Sequence, residues 1–350
     1  MSSPNWKSAP ALRLLAVLLG AALLVYLVER AGPGRLQQDA KNIGWGMLLV
    51  IALAGLAHIT RTWAWRLVLL GESNKISFWR TLGLRLISEA IGQLGFVGLV
   101  FGESARVGLL GSGVPMARAI SSVAMDRGLF IVAGAVVTIT GICAAAFVVA
   151  FSDALRVYAG IFVFAVVFLL GLAGLALHKG WPLFSKPARA FGRISWFRGW
   201  INSKKAVIES SERQFLQFHR QAPGAFWVSL LLNLGSHLLA VTEVYLILHL
   251  LGTRISFVSA LILESLTKLI NVIGVVNPGN LGTYEGGTMV IGKLVGLSGA
   301  QGLALGLCRR LRTIFWAIVG GICFAWYTRS NQPATPDDGN EIVTGVDLCS

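Results

Sequence analysis

The sequence predicts an all-α polytopic membrane protein, with about six full spans plus two re-entrant or broken helical segments that form an inverted repeat. Three observations predict it. Hydrophobic residues make up 55% of the chain and charged residues only 13%, and the mean hydropathy is +0.70, against roughly 25% charged in a soluble globular domain. Six apolar stretches are long enough to cross a bilayer as helices. Two further stretches are apolar yet broken by glycines and carry charges that lipid would not tolerate.

The full spans are expected at Ala11 to Val28, Ile43 to Leu70, Ile120 to Ala150, Ala154 to His178, Ala225 to Leu251 and Leu311 to Tyr327. Each holds close to the roughly 20 apolar residues that a helical crossing takes. The first follows Lys7 and Arg13 as a signal peptide would, but Val28-Glu29-Arg30 lacks a small-residue cleavage site, so it is read as an anchor. Residues 1–330 then form one transmembrane domain, and 331–350 a disordered tail carrying Asp337, Asp338, Glu341 and Asp347.

Orientation follows from the basic residues. The segment 179–222 holds Lys179, Lys186, Arg189, Arg193, Arg198, Lys204, Lys205, Arg213 and Arg220 against Glu209 and Glu212, which marks it as cytoplasmic. Counting spans from it puts both termini in the cytoplasm and the loop from Glu29 to Lys41 outside. Trp181, Trp196 and Trp200 are interleaved with these charges, the composition of a segment lying on an anionic membrane surface. The net charge of +14 is explained by these loops and needs no nucleic acid as partner. Cys143, Cys308, Cys323 and Cys349 stand apart, with no CxxC pair and no histidine at ligand spacing, so neither metal nor cofactor is expected.

The two unusual segments are 81–113 and 256–299. The first carries Arg85, Glu89, Glu103 and Arg106 among Gly92, Gly95, Gly98 and Gly102; the second carries Glu264, Lys268 and Glu285 around Asn277-Pro278-Gly279-Asn280. Broken backbone at membrane depth persists only inside protein or beside a wet cavity. The segments resemble each other: Glu103 precedes Arg127 by 24 positions, and Glu285 precedes Arg309 by 24. On the topology above they enter from opposite faces, as in secondary transporters that bind substrate between inverted repeats.

At Gly102-Glu103-Ser104-Ala105-Arg106, Met125-Asp126-Arg127 and Asn277-Pro278-Gly279 through Glu285, the chain resembles the transmembrane region of the lysylphosphatidylglycerol synthase family, a flippase-like domain with hopanoid-associated members. The second motif follows the family's Pro-Gly turn, glycine and glutamate. The first departs from it, with Val97-Gly98-Leu99-Val100-Phe101 in place of the Pro-Gly turn and Asp126 where a glutamate is common. The synthases carry a soluble aminoacyl-transferase domain after the membrane region; only about two dozen residues follow the last span here, so lysyl transfer is not expected.

The resemblance implies a lipid transporter of the bacterial inner membrane, moving an anionic or polar-headed lipid between leaflets through a laterally open cavity. Its expected substrate-binding residues are Glu103, Arg106, Arg127, Asn277, Tyr284, Glu285 and Arg309, with the arginine forks suited to phosphate. Glu103 should pair with Arg127 or Arg106, and Glu285 with Arg309 or Arg310. The duller alternative is that these are closed ion pairs pinning the broken helices. Arg61 and Arg66, beside Trp63 and Trp65, read as interfacial anchors, and Glu243 as a maker of interhelical polar contacts. Two other functions stay open: an integral-membrane lipid-modifying enzyme, for which no catalytic constellation is found, and a non-transporting assembly factor of a hopanoid-type lipid pathway. The oligomeric state is open, a homodimer included.

Overall fold

The structure, a computed structural model, describes residues 29, 33–93, 95–110, 114–149, 152–181, 205, 208–210, 212–214, 216–274, 280 and 282–330. The anticipated first span, most of the basic loop, the Asn277-Pro278-Gly279 break and the tail lie outside them.

The protein is an all-α polytopic membrane protein. Five helices among the described residues are long and apolar enough to cross a membrane. In chain order the helices used below are α1 (Pro33–Ile43), α2 (Gly46–Leu69), α3 (Phe78–Gly92), α4 (Gly95–Leu109), α5 (Met116–Val148), α6 (Asp153–Lys179), α7 (Pro223–Leu250), α8 (Phe257–Gly274), α9 (Thr283–Leu294) and α10 (Gly299–Ser330). Five of the six anticipated spans correspond to α2, α5, α6, α7 and α10. Two boundaries differ. The loop before α2 contains α1, opened by Pro33, whose fixed φ suits a first helical position. The last span starts at Gly299, well before Leu311, because Arg309, Arg310 and Arg312 break its hydropathy without breaking its helix.

The short helices form two hairpins. At 15 residues each, α3 and α4 reach only about 22 Å, short of the roughly 30 Å hydrocarbon core. Ser77 starts α3 by accepting a hydrogen bond from the Arg80 amide at 3.2 Å. The arms run antiparallel and touch closely, since a Cβ on Gly102 would run into the Ser88 carbonyl oxygen. In α8 and α9 the same holds between Gly287 and the Ile270 side chain.

The helix order is long, hairpin, long over α2 to α5, and long, hairpin, long again over α7 to α10. Packing is reciprocal: α2 lies on α7, α3 packs on α10, and α8 packs on α5. Both hairpin contacts pass through a glycine. Gly320 of α10 abuts the Leu86 carbonyl, and Gly141 of α5 abuts Ser265, where any side chain would collide. The main core joins Val241, Val244, Ile247 and Leu248 of α7 to Leu263 of α8 and Leu305 of α10. A second core surrounds Trp65, between α2, the α3/α4 hairpin and the start of α5. By contrast α6 stands at the edge, almost wholly exposed along its apolar length and packed mainly on α5.

Candidate functional site: a charged cavity between the two halves

Helical spacing delivers charges to one place. Arg85 and Glu89 lie one turn apart on α3, as do Glu264 and Lys268 on α8, so each pair shares a face. Asp126 and Arg127 on α5 are neighbours and point about 100° apart, as do Arg309 and Arg310 on α10. One residue of each couple can therefore face a hairpin while the other faces elsewhere.

In the first half the charges form a continuous network. Asp126 Oδ2 takes Nη2 of both Arg85 and Arg106 at 2.8 Å, and all three side chains are buried. Glu89 lies 2.5 Å from Arg61 Nη1, 3.2 Å from His58 Nδ1 and 4.0 Å from Arg85 Nη1. Glu103 lies 3.4 Å from Arg106 and 3.8 Å from Arg127. Read from end to end, Arg61, Glu89, Arg85, Asp126, Arg106, Glu103 and Arg127 alternate in sign. Aromatic faces support the cations: the Arg106 guanidinium sits 3.5 Å from the centre of Trp65 and the Arg61 guanidinium 3.9 Å from that of Phe130.

The second half repeats the pattern. Arg309 joins Glu243 at 3.2 Å and Glu264 at 2.7 Å, and donates to the Tyr284 hydroxyl at 2.7 Å. Glu264 also holds Lys268 at 3.0 Å, and Glu243 also holds Arg312 at 2.6 Å. Lys268, Glu264, Arg309, Glu243 and Arg312 therefore alternate as well. Beside them Glu285 pairs with Arg310 through one oxygen, and through the other accepts the Gly282 amide at 2.9 Å, tying the start of α9 to α10.

Both networks border one cavity of about 830 Å³. It lies between the halves, walled by α2, α3, α4, α5, α7, α8 and α10, with Phe162 and Val166 of α6 closing one flank. Its walls are largely apolar, as in ligand sites generally, and its charged members are Arg61, Glu89, Arg127, Glu243, Glu264, Lys268 and Arg312. Aromatic groups tie the two sides together. Phe130 carries Arg61 on its ring and stacks on His237 at 4.3 Å, while Trp316 of α10 meets His58 of α2 edge-on at 4.8 Å.

With the fold and cavity in place, comparison with known families decides the assignment: the sequence matches the family described as Lysylphosphatidylglycerol synthase TM region over residues 13–321. The chain belongs to that family. Neither a curated protein nor a solved structure matches it. The family match spans both halves, both hairpins and every charged group of the two networks.

Within this family member the anticipated site residues separate into two sets. Arg127 lines the cavity, and Glu103 is its ion-pair partner. Arg106, Glu285 and Arg309 are buried in ion pairs behind the wall, with Tyr284 on Arg309. Asn277 lies outside the described residues. Of the anticipated pairings Glu103 makes both, whereas Glu285 takes Arg310 and leaves Arg309 to Glu243 and Glu264.

The interfacial reading of Arg61 is corrected. Arg61 lines the cavity, whereas Arg66 binds the carbonyls of Ser73 and Ile76 at 2.9 and 2.6 Å, fastening the turn that follows α2 back onto α2. Trp65 is fully buried beneath Arg106, and of that group Trp63 has the exposed face of an anchor. Hydropathy alone does not reveal which side of a span is covered. Arg312 and Glu89 also line the cavity and are not among the anticipated site residues, although the turn-spaced pairs Arg85 with Glu89 and Arg309 with Arg312 carry the signal.

Proposed function

We propose that this protein is a lipid transporter of the flippase type, which moves an anionic or polar-headed lipid between leaflets of the bacterial inner membrane. The observation that carries this reading is the cavity: mostly apolar walls, charged side chains on both sides, and a flank formed by an apolar helix that is otherwise exposed. A charge at the bilayer centre costs at least about 2.5 kcal/mol on insertion scales, so this concentration of charge needs a functional reason. Headgroup contact falls to Arg127 with Arg61, Lys268 and Arg312, while Glu103, Arg106, Tyr284, Glu285 and Arg309 hold the hairpins and orient the lining cations. The acyl chains stay beside α6.

The repeated order of long helix, hairpin and long helix, with its reciprocal packing, supports an inverted repeat whose halves alternate access to one site. With the basic segment 179–222 cytoplasmic and lying on anionic lipid, both termini face the cytoplasm. The substrate is a membrane lipid, with no nucleic acid partner, no cofactor and no catalytic role, and the oligomeric state is open, a homodimer included.

Translocation of a fluorescent anionic lipid in reconstituted vesicles tests this. Arg127→Gln should slow it by roughly 10- to 100-fold, the worth of a charge-assisted contact, with folding near that of the parent. Equal rates with a folded variant would refute the site. A lipid-pathway assembly factor would instead survive that change and be disabled by deleting 179–222.

A further inference from the structure

On the transport reading above, we infer that the headgroup this cavity takes ends in a free phosphate carrying two negative charges, rather than in a phosphodiester or a zwitterion. The reason is the way the ion pairs end. Among the described residues, the first network sets four arginines against three carboxylates, and the second sets three cations against two. Each carboxylate is shared between two cations, so each alternating run begins and ends on a cation.

The four ends are Arg61, Arg127, Lys268 and Arg312, and all four line the cavity. Arg85, Asp126, Arg106 and Arg309 are buried behind the wall, while Glu89, Glu264 and Glu243 reach the cavity beside the cations they join. Arg127 is held least, with its carboxylate at 3.8 Å and 35% of its side chain exposed. Each network as a whole carries one positive charge in excess and borders the same space, two charges in all. Arginine cannot discharge this by losing a proton, and three of the four ends are arginines.

A terminal phosphate matches on both counts. It carries close to two negative charges above its second pKa of about 6, and three oxygens that accept from several N–H forks at once. A phosphodiester brings one charge and two free oxygens, which would leave one network unbalanced. A zwitterionic head adds a cation where cations are already in excess. The phosphate could sit on a lipid or be free in solution; the apolar walls and the α6 flank favour the lipid.

The test uses the full chain at pH 8. Retention of phosphatidic acid, phosphatidylglycerol and phosphatidylcholine with matched chains is counted by native mass spectrometry, and translocation of the same lipids is followed in vesicles. Phosphatidic acid should be retained at least about tenfold over the other two, as expected for one more charge-assisted contact. Arg127→Gln, or Arg312→Gln on the other network should the first fail to fold, should bring phosphatidic acid down to the phosphatidylglycerol level. Arg127→Lys should keep most of the preference. Equal retention of all three lipids by the parent, or an unchanged preference in both glutamine variants, overturns the phosphate assignment. Preferential retention without movement of any lipid overturns transport alone and leaves the headgroup standing. Inorganic phosphate that displaces phosphatidic acid completely at about 1 mM, with no advantage from acyl chains, overturns the lipid source; failure to displace it supports a lipid.

Discussion

Asp126→Asn is the sharpest structural perturbation, because the change keeps the side chain's shape and removes its charge. Asp126 Oδ2 holds Arg85 and Arg106, each at 2.8 Å, and those arginines are otherwise 4.0 Å from Glu89 and 3.4 Å from Glu103. Two nitrogens bound to one oxygen lie at most about 5.6 Å apart, so unscreened repulsion between the two cations is at least about 3 kcal/mol at an effective dielectric of 20. Losing a partner from a buried ion pair costs about 3–5 kcal/mol, and the same range is expected here. Thermal or SDS-driven unfolding of the purified protein in mixed micelles measures it. The double variant Asp126→Asn with Arg106→Met removes one charge of each sign, leaving Arg85 with Glu89 and Glu103 with Arg127, and should recover part of the loss. A single variant within about 0.5 kcal/mol of the parent, the range of ordinary surface changes, would refute the reasoning that Asp126 neutralises both arginines.

Two further outcomes are expected. Gly141→Val should lower stability by about 1–3 kcal/mol, because the added side chain meets Ser265 where α5 and α8 cross, and thermal unfolding reads this directly. A cysteine at Gly34 should react with a membrane-impermeant reagent from outside the cell, and one at Ser203 from inside only; the opposite pattern would reverse the orientation and the sense of both hairpins.

Much of this architecture was legible before the fold was known, for a physical reason. Spans announce themselves because lipid accepts no charge, so α2, α5, α6 and α7 follow from hydropathy almost to their ends. The hairpins were legible from the opposite signal, charge and glycine inside apolar sequence. What a linear reading misses is the covered side of each span. Arg61 and Trp65 lie in a sequence that also suits a membrane interface, and only the packing of α2 against α5 and the α3/α4 hairpin shows that they face inward. The same limit hid the third party in each network. Asp126 looked like a departure from a motif, yet it is the hub of the first half, and Glu243 holds the equivalent place between Arg309 and Arg312. Spacing could relate Glu103 to Arg127; it could not reveal that Glu285 spends its charge on Arg310 and on the turn before α9.

The central claim is that lipid headgroups enter the space between the two halves, and photo-crosslinking reads occupancy there most directly. A photoreactive residue at Phe130, whose ring lines the cavity, is compared with one at Phe168, which is exposed on α6. After irradiation in native membranes, mass spectrometry should find lipid at both positions, with that at Phe130 enriched in anionic heads and that at Phe168 matching the bulk. No lipid at Phe130, or the bulk composition at both positions, would contradict the account.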